Sequence, residues 1–324
     1  MKEPRIECVP NISEGRDPNT ISAIAKAISS VEGVRLLNVD PGKSANRTVY
    51  TFAGAPQQVV EAAFRMTQTA IGHIDMREQH GTHPRIGVVD VLPLVPIEGI
   101  SLEETALLAT GLAQRISSEL LVPCYLYEAS ARMPEHRNLA NCRTGEYEGL
   151  AQRLASEQPQ QRPDTGCRPW DERLARTGCS VVGARPFLVA VNFNLDTDDT
   201  DVATTIARAV REKGYRGTPG TLPGTKAIGW YIEEYGFAQV SMNLCDLSLT
   251  TLHQAFCEVS RQAKRLGHHV TGTEIIGLVP RRALVDAGRH FAPQETDEQA
   301  LMHQAVDCLR LEQIAPFDVD QRII

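Results

Sequence analysis

The chain alternates between two hydrophobic rhythms, one of period two and one of period 3.6. RIECVPNIS reads as a short strand, and DPNTISAIAKAISS follows with Ile21, Ile24, Ala25 and Ile28 at helical spacing. Asp17 is placed to cap that helix and Pro18 to open its first turn. GVRLLNVD and RTVYTFAG are rich in β-branched and aromatic residues and flank the turn PGKSAN, so they predict a strand pair. PQQVVEAAFRMTQTAIGHI predicts a helix with Val60, Ala63, Phe64, Thr67, Ile71 and Ile74 along one stripe, and RIGVVDVLPLVPI a buried strand after it. The succession to this point is βαββαβ.

A further helix (SLEETALLATGLAQRISSELL) and strand (PCYLYEA) lead into SEQPQQRPDTGCRPWDERLARTGCS, a Gln-, Pro- and Arg-rich stretch that predicts a connector. Beyond it RPFLVAVNFNL predicts a strand, and DVATTIARAVREKG a helix with Val202, Ile206 and Val210 in register. KAIGWYIEE and AQVSMNLCDL form a hairpin around YGF, a helix runs from about Leu249 to Leu266, and TEIIGLVP returns as a strand. The same βαββαβ succession thus occurs twice. The expected fold is α+β, with two ferredoxin-like (βαββαβ) subdomains, residues 1–178 including the connector and residues 179–324. Each sheet would be covered by helices on one face, and facing the bare sheets toward each other would leave a cleft suited to a small molecule.

Composition narrows the classes of function. The 33 basic and 40 acidic residues give a net charge of -7, which removes the electrostatic footprint of a general nucleic-acid or anionic-membrane binder. Eight cysteines without a C-x-x-C pair, and a start (MKEPRIECVPN) with no apolar leader, predict a reducing, cytoplasmic setting. No apolar run approaches the ~20 residues of a membrane span. Walker A and G-x-G-x-x-G patterns are absent, and the glycine- and proline-rich YRGTPGTLPGTK lacks the lysine spacing of a phosphate loop, so it predicts a mobile loop.

The chemistry concentrates in EQHGTHPRIGVVDVLP. His80 and His83 form an H-x-x-H pair, but loop spacing is not the i, i+4 arrangement of a helical zinc site, and no third ligand is evident. A solvated turn and a proton-transfer histidine are the other readings, and residue types alone leave all three open. In NVDPGKSANRTVYTF, Asp40 and Asn46 can cap the turn while Arg47 is solvated. If the turn lines a cleft, Asp40 can pair with a cation and Arg47 can fork onto a carboxylate.

Taken together, ECVPNISEGRD, LLNVDPGKSANRTVYTFAG, HGTHPRIGVVDVLP, VPCYLYEASAR, RTGEYEGL, GARPFLVAVNFNL, IGWYIEE and EIIGLVP resemble the glutamate formimidoyltransferase family, in order and over nearly the whole chain. The resemblance implies two α/β subdomains of ferredoxin-like type, a homodimer, and transfer of a formimino group between N-formimino-L-glutamate and tetrahydrofolate in histidine breakdown. Tetrahydrofolate is then a co-substrate, and no metal is needed. The partners are folate and glutamate derivatives, with neither nucleic acid nor membrane. By the same resemblance His83, in G-x-H-P-R, is the catalytic acid/base, Asp40 an active-site carboxylate, and the segment from Gly166 to Gly178 folate-binding. Arg47, Arg85 and Arg185 are the expected donors to the substrate carboxylates and the folate tail. The connector looks longer and more charged than the family pattern, and Thr82 stands where an acidic residue is common. No cyclodeaminase domain is expected after Ile324. Two other functions compete: handling of the formyl analogue (formylglutamate or 5-formyltetrahydrofolate), and folate binding without turnover, which the histidine argues against.

Overall fold

A computed structural model describes residues 3–324, and the chain divides into two compact units, to Pro186 and from Phe187. In the first, β1 (Arg5–Cys8) and β2 (Asn11–Ile12) are one strand interrupted at Pro10, which has no N–H to give a neighbour. Then come α1 (Pro18–Ser29), β3 (Arg35–Gly42), β4 (Arg47–Gly54), α2 (Pro56–His73), β5 (Val89–Glu98), α3 (Leu102–Glu119) and β6 (Cys124–Glu128). Three short helices follow, α4 (Leu139–Cys142), α5 (Leu150–Ala155) and α6 (Glu172–Thr177), before β7 (Ser180–Ala184). The strands make one seven-stranded sheet in which β5, β7 and β6 are parallel and the remaining pairs antiparallel.

Local chemistry sets the helix ends. Asp17 caps α1 by accepting the Asn19 and Thr20 N–H groups, with Pro18 in the first turn as expected. Ser101 and Glu104 close a reciprocal capping box on α3. The core lies between α1, α2, α3 and one face of the sheet, where Ile24, Ile28, Val59, Met66 and Ile116 meet Ile6, Cys8, Tyr50, Phe52 and Leu92. The buried face of α2 holds Ala63, Phe64 and Thr67 of the expected stripe, with Ile74 just beyond the helix, and is wider than that stripe: Val59, Ala62, Met66 and Ala70 are fully buried too, while Val60 and Ile71 lie at the margin. Small alanines let the helix sit close to the sheet, which brings a neighbouring face into the core.

The connector is folded rather than loose. Asp164 accepts the Leu126 N–H at 2.8 Å and meets the His136 ring at 3.1 Å, and the Tyr125 hydroxyl donates to the Gln161 carbonyl at 2.8 Å. Leu174, Cys179 and Leu154 pack with Tyr125, Val91 and Val181 as a second core, on the sheet face away from α1–α3. Because β7 pairs with β5 and β6, the first unit ends after β7 and not at the expected 178/179 boundary.

The second unit carries β8 (Val189–Leu195), α7 (Thr200–Val210), β9 (Thr225–Ile232), β10 (Phe237–Leu244), α8 (Leu252–Arg265) and β11 (Val270–Ile276). Three helices without a counterpart in the sequence reading follow: α9 (Arg281–Phe291), α10 (Glu298–Leu309) and α11 (Val319–Arg322). Its sheet is antiparallel in the order β11-β8-β10-β9. In each unit the four strands of the repeated succession lie side by side as fourth, first, third, second. Val191, Phe193, Val240 and Met242 face Ile206, Val259 and Leu284, while the alternate residues Asn192, Asn194 and Gln239 face the other way. Among the described residues no helix is long and apolar enough to cross a membrane.

Ser101→Ala removes one half of the α3 capping box. It should lower stability by about 1 kcal/mol, read as a reduced urea midpoint with an unchanged slope; an unchanged midpoint would mean that packing alone fixes the start of α3.

Candidate active site

The His83 loop leaves α2 and reaches β5 across the tip of the β3–β4 hairpin, and a buried asparagine fastens the two together. Asn46 sits in left-handed backbone at φ 45°, a conformation asparagine tolerates better than most residues. Its side chain accepts the Gly15 N–H at 3.0 Å and donates to the His80 carbonyl at 2.9 Å, while its own carbonyl accepts the Gln79 amide at 2.8 Å. Gly81 permits the approach: a Cβ there would stand 2.2 Å from the Ala45 carbonyl oxygen.

Arg85 clamps the other end of the loop. Its Nε donates to the Gln79 side chain at 3.0 Å, and its terminal nitrogens reach Glu148 at 2.7 and 2.8 Å, Glu146 at 3.3 Å and the Gln79 carbonyl at 3.3 Å. All five N–H groups of a guanidinium have a direction assigned in that set. Arg85 is therefore committed to the loop instead of standing ready for a substrate carboxylate. The hydrogen bonds from Arg85 also hold Glu148 below the ordinary glutamate pKa. On the outer side of this clamp, His80, Gly81, Arg85, Gly145, Glu146 and Glu148 line an open cavity of about 460 Å³.

His83, between these fixed ends, is half-buried. Burial first, and then the positive charges of Arg47 and Arg143, hold its pKa well below the usual histidine value, with a backbone hydrogen bond to Pro84 opposing them. The imidazole is thus neutral near pH 7 and ready to accept a proton. Arg143 is itself positioned by the buried Asp90: its Nε donates to Oδ1 at 3.2 Å and a second nitrogen to Oδ2, while Oδ1 also accepts the Ile86 N–H at 3.1 Å. Among the described residues no three His, Cys, Asp or Glu side chains converge to hold a metal ion, so the His80–His83 pair has no third ligand there.

The remaining predicted residues fall in distinct places. Asp40 lies on β3 opposite Val49, and Arg47 opens β4 opposite Gly42, both at the hairpin end fastened to the His83 loop. Arg185 follows β7, donates to the Pro186 carbonyl at 3.0 Å, and acts electrostatically on Glu7 and Tyr127. Gly178 (φ 63°) passes the His83 strand so closely that a Cβ would stand 2.3 Å from the Ile86 carbonyl oxygen. Gly166 (φ 64°) packs instead against Ser117 of α3. These two glycines serve backbone approaches at different points of the unit.

Sequence reasoning missed the polar face of the first sheet. Phe52 and Tyr50 face the helices, so Thr51 and Val49 face away, together with their partners Asn38 and Asp40. Glu7, between the core residues Ile6 and Cys8, points the same way from β1. Burial pushes its carboxyl up to about 7, opposed by the charge of Arg185. The available signal was polar residues at alternate positions inside strong strands, as in RIEC, LLNVD and VYTF.

Asn46→Ala should destabilise the first unit by roughly 2–3 kcal/mol, because it leaves the Gly15 N–H and the His80 carbonyl without partners. It should also speed proteolytic cleavage between residues 79 and 84. Wild-type urea unfolding and wild-type cleavage would show that the bracket carries no weight.

Comparison with known proteins agrees with this layout. Residues 5–185 match the N-terminal subdomain of the formiminotransferase domain, and residues 190–324 match the formiminotransferase domain. The chain is 43% identical over 324 residues to formimidoyltransferase-cyclodeaminase of Rattus norvegicus, covering 98% of itself and 59% of that relative's length. To glutamate formimidoyltransferase of Streptococcus pyogenes serotype M1 it is 40% identical over 291 residues, 90% of this chain and 94% of the relative. The corresponding values for glutamate formimidoyltransferase of Thermoplasma acidophilum are 35% over 286 residues, 88% and 91%. With both halves of the chain matched in order, and with relatives of similar length covered almost end to end, the chain belongs to the formiminotransferase family.

Proposed function

We propose that this protein transfers the formimino group of N-formimino-L-glutamate to tetrahydrofolate, with His83 as general acid/base. The observation that carries the reading is a neutral imidazole on a loop fixed at both ends, in a chain 40% identical over most of its length to a glutamate formimidoyltransferase. N5 of tetrahydrofolate attacks the amidine carbon, and His83 takes the N5 proton. The tetrahedral intermediate collapses as the carbon–nitrogen bond to glutamate breaks, and the imidazolium returns the proton to the departing amine. The products are glutamate and 5-formiminotetrahydrofolate, with no net proton change at His83.

Electrostatics favour this order of steps. Burial, and then the arginine charge around His83, disfavours the imidazolium, so the proton is held only briefly before it passes on. Asp40 offers a carboxylate to the cationic amidine, which favours the formimino over the neutral formyl group. Arg47 and Arg185 are assigned to the carboxylates of glutamate and the folate tail, and the segment from Gly166 to Gly178 to folate. Arg85 is reassigned to holding the loop. The reaction so written needs tetrahydrofolate as co-substrate and no metal, in a homodimer of the reducing cytoplasm.

His83→Asn should keep folate affinity within a few fold while kcat falls by ~10²-fold or more, since the amide keeps a hydrogen bond but carries no proton at neutral pH. His80→Asn is the mild control. Steady-state assays with formiminoglutamate run against formylglutamate test both residue and substrate: near-normal turnover by folded His83→Asn sinks the residue assignment, and preference for formylglutamate sinks the substrate.

The acid limb of kcat/KM against pH reports the neutral form of His83 and should therefore lie below the usual histidine value of about 6.5. Arg47→Gln removes one of the charges that depress it, so the limb should move to higher pH. A limb that stays in place would disconnect His83 from the rate.

A further inference from the structure

The two sheets differ in how their polar faces are satisfied. On the second unit's sheet the Gln239 amide donates to Asn194 at 2.7 Å and Glu274 at 3.2 Å, Asn192 donates to Glu274 at 2.8 Å, and the Trp230 indole donates to Gln239 at 3.0 Å. Tyr235 adds a bond to Glu274 at 3.2 Å, so that face is a closed network. On the first unit's sheet the corresponding face is buried, and no such network links Glu7, Asn38 and Thr51. Thr51 is 1% exposed and its hydroxyl has no hydrogen-bond partner, and the Asn38 amide nitrogen opposite it is also buried without one. Glu7 is 2% exposed, and only the charge of Arg185 is set against the cost of burying it.

Buried polar groups in folded proteins are overwhelmingly paired, and each one left alone costs about 1–3 kcal/mol. Two such groups, with the buried Glu7 carboxyl on the same sheet face, are a pattern, and the backbone is shaped to make it. The register of β3 shifts between Leu36 and Asn38. Leu36 therefore faces the core opposite Phe52, while Asn38, two residues on, is turned to the other face opposite Thr51. Bulges of this kind re-aim side chains beside functional sites. Glu7 pairs with Ala53, two residues along β4 from Thr51, which places it diagonally next to that hydroxyl on the same face.

Resting on the transfer reaction proposed above, we infer that Glu7, Asn38 and Thr51 bind the 2-amino-4-oxo edge of the tetrahydrofolate pterin and so select this co-substrate. That edge presents two adjacent N–H donors, N3–H and the 2-amino group, to a carboxylate, with a carbonyl beside them for an amide donor. Glu7 supplies the acceptor, Asn38 the amide and Thr51 a hydroxyl that gives or takes. Val49, Ala53 and Val95 lie on the same face and are buried, and they would form the apolar floor under a ring bound there. The amidine of formiminoglutamate has N–H donors but no carbonyl for Asn38 and no ring for the floor. Carboxylate tails are repelled by ionised Glu7. Burial raises the pKa of the free carboxyl, and a bound pterin edge would supply donors that favour its charged form.

The test compares wild type, Glu7→Gln and Thr51→Val by calorimetric titration with 5-formyltetrahydrofolate and with a 2-desamino-2-methyl folate analogue. Glu7→Gln keeps size, and thermal unfolding at pH 8 should show it no less stable than wild type because a buried charge has been removed. It should bind 5-formyltetrahydrofolate ~10–100-fold more weakly than wild type, with Thr51→Val losing less. Wild type should prefer 5-formyltetrahydrofolate to the analogue, and Glu7→Gln should lose that preference. KM for formiminoglutamate should change by less than about threefold. Unchanged 5-formyltetrahydrofolate affinity in Glu7→Gln, or a loss confined to formiminoglutamate KM, overturns the inference and leaves the reaction standing. Wild type that binds no folate overturns both.

Discussion

The reactive loop depends on the side-chain amide of Asn46, which serves three chain segments at one point. It takes the N–H of Gly15, gives to the carbonyl of His80, and sits at the left-handed residue that closes the β3–β4 hairpin. A loop between a helix and a strand has no ladder of its own, so its backbone groups must find partners elsewhere or face water. Here they find them on the hairpin, which is part of the sheet. The loop thereby inherits the rigidity of the sheet, and Arg85 fixes its far end through Gln79 and Glu148. His83 needs that stiffness, because a general base works only while its nitrogen stays within hydrogen-bond reach of the proton it takes.

The sheet beneath this loop has two chemically opposite faces. One is apolar and carries α1, α2 and α3; the other is polar and bears Glu7, Asn38, Asp40 and Thr51. The second unit repeats the division, with Val191 and Phe193 alternating against Asn192 and Asn194. A duplicated plan therefore carries the same compromise twice. One copy resolves it internally through Gln239 and Glu274, while the other leaves groups unmet. A fold under selection for stability alone would gain by substituting Thr51 with valine, which is similar in shape and has no hydroxyl to desolvate.

Much of this was legible in the sequence because helices and strands announce themselves by period. Asp17–Pro18 marks a real helix start, SLEETALLATGLAQRISSELL contains α3, and the repeated βαββαβ succession is present in both units. The connector was less legible. Its Gln, Pro and Arg content matches that of a linker, yet one carboxylate, Asp164, and a few buried side chains, among them Leu174 and Cys179, dock it across the sheet. Composition reports average polarity and cannot see a hydrogen bond to a strand distant in sequence. The role of Arg85 was hidden for the same reason: Glu146 and Glu148 lie far along the chain, and only the fold brings them to its guanidinium. Glu7 and Thr51 were read past because a polar residue inside a strand ordinarily means a solvated face, and only burial distinguishes that case from this one.

Charge is sorted around the first sheet in a way that maps onto the proposed reactants. Arg47 and Arg143 lie around His83, Arg185 lies by Tyr127 and Glu7, and the carboxylates Asp40 and Glu7 sit on the polar face of the same sheet. A site for a simple polyanion would gain from positive charge throughout and would exclude those carboxylates. A site for a simple cation would exclude the arginines. Formiminoglutamate carries a cationic amidine at one end and carboxylates at the other, and tetrahydrofolate pairs a donor-rich pterin edge with an anionic tail. Reactants of mixed polarity require both signs close together, and neutral His83 lies where burial and arginine charge favour passing a proton on over keeping it.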